Sequence, residues 1–337
     1  MSDDKEQVFK TINKLEFYKL LTKYRLIQKE FKEKFDVNDI FSNSKIYEIL
    51  IANSLSHNLI PGHSGSKDAI DDNGNEYEYK HYKKSSSNHT WTFNDFSDTT
   101  IEKLNLCSYV VFAHIDNSVM PPNFDWCYLV PGKIVSEFLK KATLRILNTR
   151  KMINISKNNI ENSMGVNKTF ISSKSNGRYS KWINNIYEIC SDMEKCTGVD
   201  QLLTSNKIWE VVVAAELNHN VNSEQGGRAG AHDAFDKSGN VYEYKVSKNY
   251  SWNFQDISDN VLNKYLDDKS IILAVVDKEN TVVKAIYEVN PKLTVKRLKE
   301  KLKEKSERFA LQNKIIRRLQ VSLSKGDLKL LNANKLY

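Results

Sequence analysis

Apolar side chains at Ile46, Ile49 and Leu50, followed by Asn53, fall at the spacing of one helical face. The spacing returns at Ile208, Val211, Val212 and Ala215, and Ser44 and Asn206 stand where caps belong. Downstream the period shortens to two. A short strand at Asp68–Asp71, an Asn73-Gly74 turn and an alternating stretch ending at Lys80 predict a β-hairpin. The second stretch uses Ser238-Gly239 for the turn. The aromatic alternation of Trp91–Asp98 and Trp252–Asp259 predicts a third strand. A short helix is expected near Thr100–Leu106 and Asn260–Leu266, then an apolar strand at Ser108–Ile115 and Ser270–Val276. Basic amphipathic helices at Ile134–Leu147 and Leu293–Gln320 close each stretch. The expected order is α-β-β-β-α-β-α, twice. Residues 1–40 predict a Lys-rich helical hairpin, and about 165–200 a bridge.

The two stretches also share residues. Lys45-Ile-Tyr-Glu-Ile-Leu-Ile-Ala52 matches Lys207-Ile-Trp-Glu-Val-Val-Val-Ala214, and Leu-x-His-Asn follows at Leu55–Asn58 and Leu217–Asn220. Asp68–Lys80 matches Asp233–Lys245, and Trp91–Asp98 matches Trp252–Asp259. The offsets are 162, 165 and 161 residues, so the blocks keep their order. Fainter echoes join Tyr109–Ala113 to Ile271–Val275 and Ile153–Lys157 to Val321–Lys325. The reading is a tandem duplication of one mixed α/β domain, with the first repeat at 1–165 and the second at 166–337.

Composition narrows the classes. Of 337 residues 40% are hydrophobic, enough for packed cores. Lys and Arg number 50 against 42 Asp and Glu, a net +8 that favours a polyanionic partner such as nucleic acid. The apolar runs are too short to span a bilayer, and the charged N-terminus lacks a secretory core. Cys107, Cys127, Cys190 and Cys196 form no CxxC pair, so free thiols in a cytoplasmic protein are expected.

Both hairpins carry Asp-x9-Glu-x-Lys: Asp68, Glu78 and Lys80, then Asp233, Glu243 and Lys245. Alternation puts Glu78 and Lys80 on one strand face and Tyr77 and Tyr79 on the other. The hairpin returns the Asp to the Glu, and two adjacent carboxylates call for a hard cation such as Mg²⁺. A Lys beside a cation-bound water and a phosphate suits phosphodiester hydrolysis. Cross-strand ion pairs on a solvated face are the structural alternative. The duplication argues for chemistry, because the three residues persist while the loops diverge.

These residues resemble the PD-(D/E)XK nuclease superfamily, and more closely its type II restriction-endonuclease branch. The likeness rests on Asp68/Glu78-Tyr79-Lys80 and Asp233/Glu243-Tyr244-Lys245 and covers most of 45–115 and 207–276. Lys67-Asp68 and His232-Asp233 replace the family's usual Pro-Asp. The resemblance implies an αβββαβ core with extra helices and catalytic Asp68, Glu78, Lys80, Asp233, Glu243 and Lys245. It also implies Mg²⁺, with Mn²⁺ as substitute, held by Asp68, Glu78, Asp233 and Glu243. Glu48 and Glu210 match the family's helical carboxylate and are further candidates; stabilisation of a helix first turn is their plainer role.

Candidate DNA contacts are His63, Lys83, Lys84, Arg228, His232 and Lys248, in the Gly-containing loops at 61–67 and 223–232 or just after the motif strands. His57 and His219 read as helix-end structure, and Trp91 and Trp252 as core. The basic run Lys292–Arg318 reads equally as a solvated face or a DNA-backbone contact. The expected function is a sequence-specific double-strand DNA endonuclease working as a single-chain pseudo-dimer, a monomer with one cut per repeat. Its partners are double-stranded DNA and a protecting cognate DNA methyltransferase, with no membrane. The alternatives are a nicking or structure-directed repair nuclease with one active repeat, and a non-catalytic DNA-binding protein.

Overall fold

The computed structural model describes residues 13–38, 40, 45–61, 67–144, 146, 151–172, 177–203, 207–221, 232–312 and 319–337. In the first half, α1 (Lys14–Phe35) and α2 (Lys45–Leu55) precede β1 (Asn58–Leu59), β2 (Ala69–Ile70), β3 (Glu76–Lys83) and β4 (Trp91–Phe96). There follow α3 (Asp98–Leu104), β5 (Tyr109–Asp116), β6 (Asn123–Pro131), α4 (Gly132–Thr143), β7 (Lys151–Ile155), a π-helical turn (Asn159–Ser163) and β8 (Thr169–Phe170). The second half begins with α5 (Ser180–Thr197), α6 (Lys207–Leu217), β9 (Asn220–Val221), β10 (Ala234–Phe235), β11 (Val241–Ser247) and β12 (Ser251–Phe254). It continues through α7 (Asp259–Tyr265), β13 (Ser270–Asp277), β14 (Val282–Val289) and α8 (Pro291–Leu311) to β15 (Val321–Ser324), α9 (Asp327–Leu330) and β16 (Asn334–Lys335).

Each half builds a six-stranded sheet, and the strand orders correspond: β1-β2-β3-β5-β6-β8 and β9-β10-β11-β13-β14-β16. Among the described residues, the parallel neighbours in the two sheets are β3 with β5 and β11 with β13. A parallel pair needs a crossover, and α3 and α7 supply it. Ser97 and Ser258 cap these helices, accepting from Thr100 and Val261 N–H. Two antiparallel ribbons, β4 with β7 and β12 with β15, stand apart from the sheets.

The chain divides into two compact units, one comprising Leu26–Ile40 and Ser44–Glu188, the other Met1–Arg25, Phe41–Asn43 and Ile189–Tyr337. Two of the boundaries, after Arg25 and after Glu188, fall inside α1 and α5. The first unit is centred on Trp91, Phe93, Phe112, Trp126 and Tyr128, with Val135 and Leu139 of α4 packed on them. The second is centred on Trp252, Phe254, Ile271, Leu273 and Leu298. Trp91 and Trp252 are fully buried, and each indole N–H donates to a strand carbonyl, Ala113 O or Ala274 O, at 2.8 Å. These are core residues, as their sequence context suggested.

The hairpin turns are built alike. Asp71 Oδ1 accepts from Asn73 N and Asn75 N, Asp71 Oδ2 accepts from Tyr77 Oη, and Gly74 takes φ +82°. Asp236 does the same with Ser238, Asn240 and Tyr242, and Gly239 takes φ +79°. All four cysteines are free, three of them buried. No helix among the described residues is long and apolar enough to cross a membrane.

Three expectations need correction. β6 and β14 intervene where the sequence led directly from strand to closing helix, so each core sheet gains an antiparallel strand. The strands beginning at Trp91 and Trp252 belong to the ribbons, because their buried aromatics cover one face of the sheet instead of extending it. Of the Lys-rich hairpin expected at 1–40, the described residues hold one helix, α1, and residues 1–12 lie outside them. The closing helices are shorter than expected: α4 ends at Thr143 and α8 at Leu311. Residues 147 and 313–318, like Ser44 and Asn206, lie outside the described residues.

Candidate active site

The motif strand β3 is held on both sides, by β2 and by β5. Ala69 pairs with Tyr77, Glu78 with Val110 and Lys80 with Phe112. This fixes Asp68 beside the strand: its backbone N–H donates to Tyr77 O at 2.7 Å, and its Oδ2 accepts from Tyr79 N at 2.7 Å. Glu78 is buried and its carboxylate pairs with the Lys80 ammonium. The second half repeats each contact. Asp233 N donates to Tyr242 O at 3.0 Å, Asp233 Oδ2 accepts from Tyr244 N at 2.9 Å, and Glu243 pairs with Lys245. The three sequence-predicted residues therefore meet in each half. Each Lys also lies over an aromatic ring, Lys80 5.1 Å from Phe93 and Lys245 5.5 Å from Phe254.

Charge is concentrated in these sites. Burial pushes Glu78 up to about 7, with Lys80 opposing and Asp68 adding to the rise. Glu48 stands at about 7 for the same reasons, burial first and then the Asp68 charge, with Lys45 opposing. Glu210 and Glu243 behave likewise beside Asp233, at about 7. Burial disfavours the Lys80 ammonium, but Glu78, Asp68 and Glu48 together outweigh it and hold the proton more tightly than usual. Lys245 is raised likewise. The Asp68 and Asp233 charges thus reach Glu48 and Glu210 in the first turns of α2 and α6.

Two lysines escaped the sequence reading. Lys45 pairs with Glu48; Lys207 pairs with Glu210 and reaches Asp233 Oδ1 at 3.3 Å. The available signal was their persistence at the head of both helix blocks, three residues before the Glu. His57 and His219 brace the motif strands, each ring Nδ1 within 2.7 Å of the Tyr79 or Tyr244 hydroxyl. The rings stack on Tyr77 and Tyr242, with centroids 4.0 and 4.2 Å apart.

The candidate DNA contacts are scattered. Lys83 is half-buried at the end of β3, and burial lowers its pKa. Lys84 is exposed and bonds Asp116 at 2.9 Å; Lys248 is exposed beyond β11. His232 lies beside Asp233, its Nδ1 2.7 Å from the buried Asp268, whose carboxyl burial raises to about 6 against the His232 hydrogen bond. Its counterpart Lys67 pairs instead with Glu76, the extra carboxylate that Val241 replaces in the second half. His63 and Arg228 lie outside the described residues.

The donor set suits Mg²⁺. Its ligand atoms are carboxylate oxygens, and a divalent cation would let neighbouring carboxylates ionise together. Among the described residues no three His, Cys, Asp or Glu side chains form a ligand cluster of their own. A cation held by one or two carboxylates and completed by water fits that arrangement.

Residues 10–168 match the family model of restriction endonuclease PvuII. That half of the chain carries a type II restriction-endonuclease-like PD-(D/E)XK fold. Such a domain implies a phosphodiester hydrolase, a site-specific deoxyribonuclease acting on double-stranded DNA, and its family generally uses a divalent metal ion. No curated protein matches the chain.

Proposed function

We propose that the chain is a Mg²⁺-dependent, sequence-specific double-strand endonuclease of a cytoplasmic restriction system, working as a single-chain pseudo-dimer. The observation that carries this reading is the recurrence in both halves of one Asp–Glu–Lys set with the same backbone anchor on its Asp. In this reading the chain is a tandem duplication divided near residue 165, and the second half is a nuclease domain like the first. A cognate DNA methyltransferase protects the host's own sites.

Asp68 and Glu78 would hold one Mg²⁺, and Asp233 and Glu243 the other, with Glu48 and Glu210 supporting them from the neighbouring helices. Bound there, the cation would supply charge neutralisation at the phosphate and lower the pKa of water. Lys80 and Lys245 orient the attacking water and stabilise the negative charge that grows on the phosphate oxygens. Lys45 and Lys207 pair with the helical carboxylates and oppose the rise that burial imposes on them. The Tyr79–His57 and Tyr244–His219 contacts hold the strands in register, so that each Glu and Lys stays beside its Asp.

The test is supercoiled plasmid incubated with Mg²⁺, Mn²⁺, Ca²⁺ or EDTA, with product ends sequenced. Cutting at fixed sites in Mg²⁺ and Mn²⁺ is expected, with little in Ca²⁺ and none in EDTA. Full cutting in EDTA would overturn the metal-nuclease reading.

A further inference from the structure

The ribbons β4·β7 and β12·β15 have two distinct faces. Trp91, Phe93, Ile155, Trp252, Phe254 and Leu323 bury one face of each ribbon in its own unit's core. The opposite face turns outward with short hydroxyl and amide side chains: half-exposed Thr92 with exposed Asn94 and Asn154 on one ribbon, exposed Ser251, Asn253 and Ser322 on the other. A two-stranded ribbon fits the DNA major groove, and such side chains hydrogen-bond base edges, an Asn amide pairing with adenine N6 and N7. On the second ribbon, Asn253 and Ser322 share the walls of a cavity of about 350 Å³ with Lys301, Lys305 and Arg308 of α8, alongside Glu304. Cations bordering a polar face are what a reader needs to hold the adjoining phosphates.

The two outward faces are not equivalent. Thr92 faces Asn154 across the first ribbon, and its hydroxyl donates to Asn154 Oδ1 at 2.8 Å. Asn253 faces Ser322 across the second. Trp91 corresponds to Trp252, so Thr92 corresponds to Asn253 and Asn154 to Ser322. At this pair the amide stands on β7 in the first ribbon and on β12 in the second. The first ribbon also carries a register shift between Phe93 and Phe96 that the second lacks. A dimer of identical subunits presents identical readers, and its palindromic site mirrors its two-fold axis. This chain presents two different readers.

We propose that the duplex site this chain recognises is non-palindromic, one half read by β4·β7 and the other by β12·β15; this rests on the nuclease reading above. A randomised duplex library is bound by the full chain in Ca²⁺, and the bound fraction is sequenced. The same library is digested in Mg²⁺ and its ends are mapped. An asymmetric consensus is expected. Asn154→Ala should relax base preference in one half of it and Asn253→Ala in the other, each by about 5- to 100-fold at one or two positions. Both residues are exposed, and thermal melts confirm that the variants fold. A palindromic consensus, a bound pool without base preference, or one variant relaxing both halves would overturn the proposal. An asymmetric bound consensus without Mg²⁺-dependent cutting would uphold it and overturn the nuclease reading instead.

Discussion

Lys80 and Lys245 are the residues whose surroundings most sharply separate chemistry from a solvated strand face. Each is paired with a Glu, buried Glu78 or half-buried Glu243, and lies over an aromatic ring, and neighbouring carboxylates hold its charge. Lys80→Ala with Lys245→Ala should lower the single-turnover cutting rate by at least about 10²-fold, while DNA affinity in Ca²⁺ changes little. Cutting near the wild-type rate would return these lysines to the role of strand-face ion pairs. The carboxylates set a pH dependence of the metal-free protein. Glu48, Glu78, Glu210 and Glu243 stand at about 7 against an ordinary value of 4.5. A carboxyl that holds its proton more tightly when folded adds stability below about 4.5 and loses it as pH rises through about 7. The melting temperature in EDTA should therefore fall between about pH 5 and pH 8, and Glu78→Gln should shallow the fall. Mg²⁺ needs the ionised carboxylates, so it should raise the melting temperature more at the upper end. A pH-independent melting temperature in EDTA would contradict the burial of these charges. The Asp, Glu and Lys were legible because they recur in register. The His57–Tyr79 contact was not, because its partners lie 22 residues apart and only the fold brings them together.

At the scale of elements, the hairpins and motif helices were legible because their turn chemistry and periodicity are local. Asn73-Gly74 and Ser238-Gly239 announce positive-φ turns wherever they occur. β6 and β14 were missed because the internal comparison falls silent there: Phe124–Val130 and Val282–Val289 share only apolar character. A strand with mostly apolar contacts to satisfy can exchange most of its residues and keep its place. The ribbons were misassigned for a related reason. Alternation predicts a strand but does not name its partner, and β7 lies 55 residues beyond Phe96, counted to Lys151. The strand-to-helix junctions also diverged. α8 starts at an Asn290 cap with Pro291 next, whereas α4 starts at Gly132, directly after β6. A Cβ at Gly132 would stand 2.3 Å from Cys107 O and 2.5 Å from Leu104 O, both backbone atoms. Gly132→Ala should destabilise the first unit by about 1–3 kcal/mol, the range for overpacking a fixed backbone, in denaturant melts. An unchanged midpoint would mean that the junction relaxes.

For the whole molecule the claim is that one chain does the work of two subunits. Both halves keep the same strand order and the same Asp–Glu–Lys contacts, while their surroundings differ: Glu76 and Lys67 pair in one, His232 and Asp268 in the other. Two sites of equal chemistry and unequal surroundings should both cut, at different rates. A conventional dimer of chains would show cutting that is second order in protein at low concentration; the single-chain account expects first order. The most direct measurement is strand-resolved end mapping of plasmid cut by Asp68→Ala and by Asp233→Ala, beside the wild type. The wild type should linearise the plasmid. Asp68→Ala should leave a nick in one strand and Asp233→Ala a nick in the opposite strand, at the same site. If one substitution were silent and the other abolished all cleavage, only one half would be catalytic and the pseudo-dimer would fall.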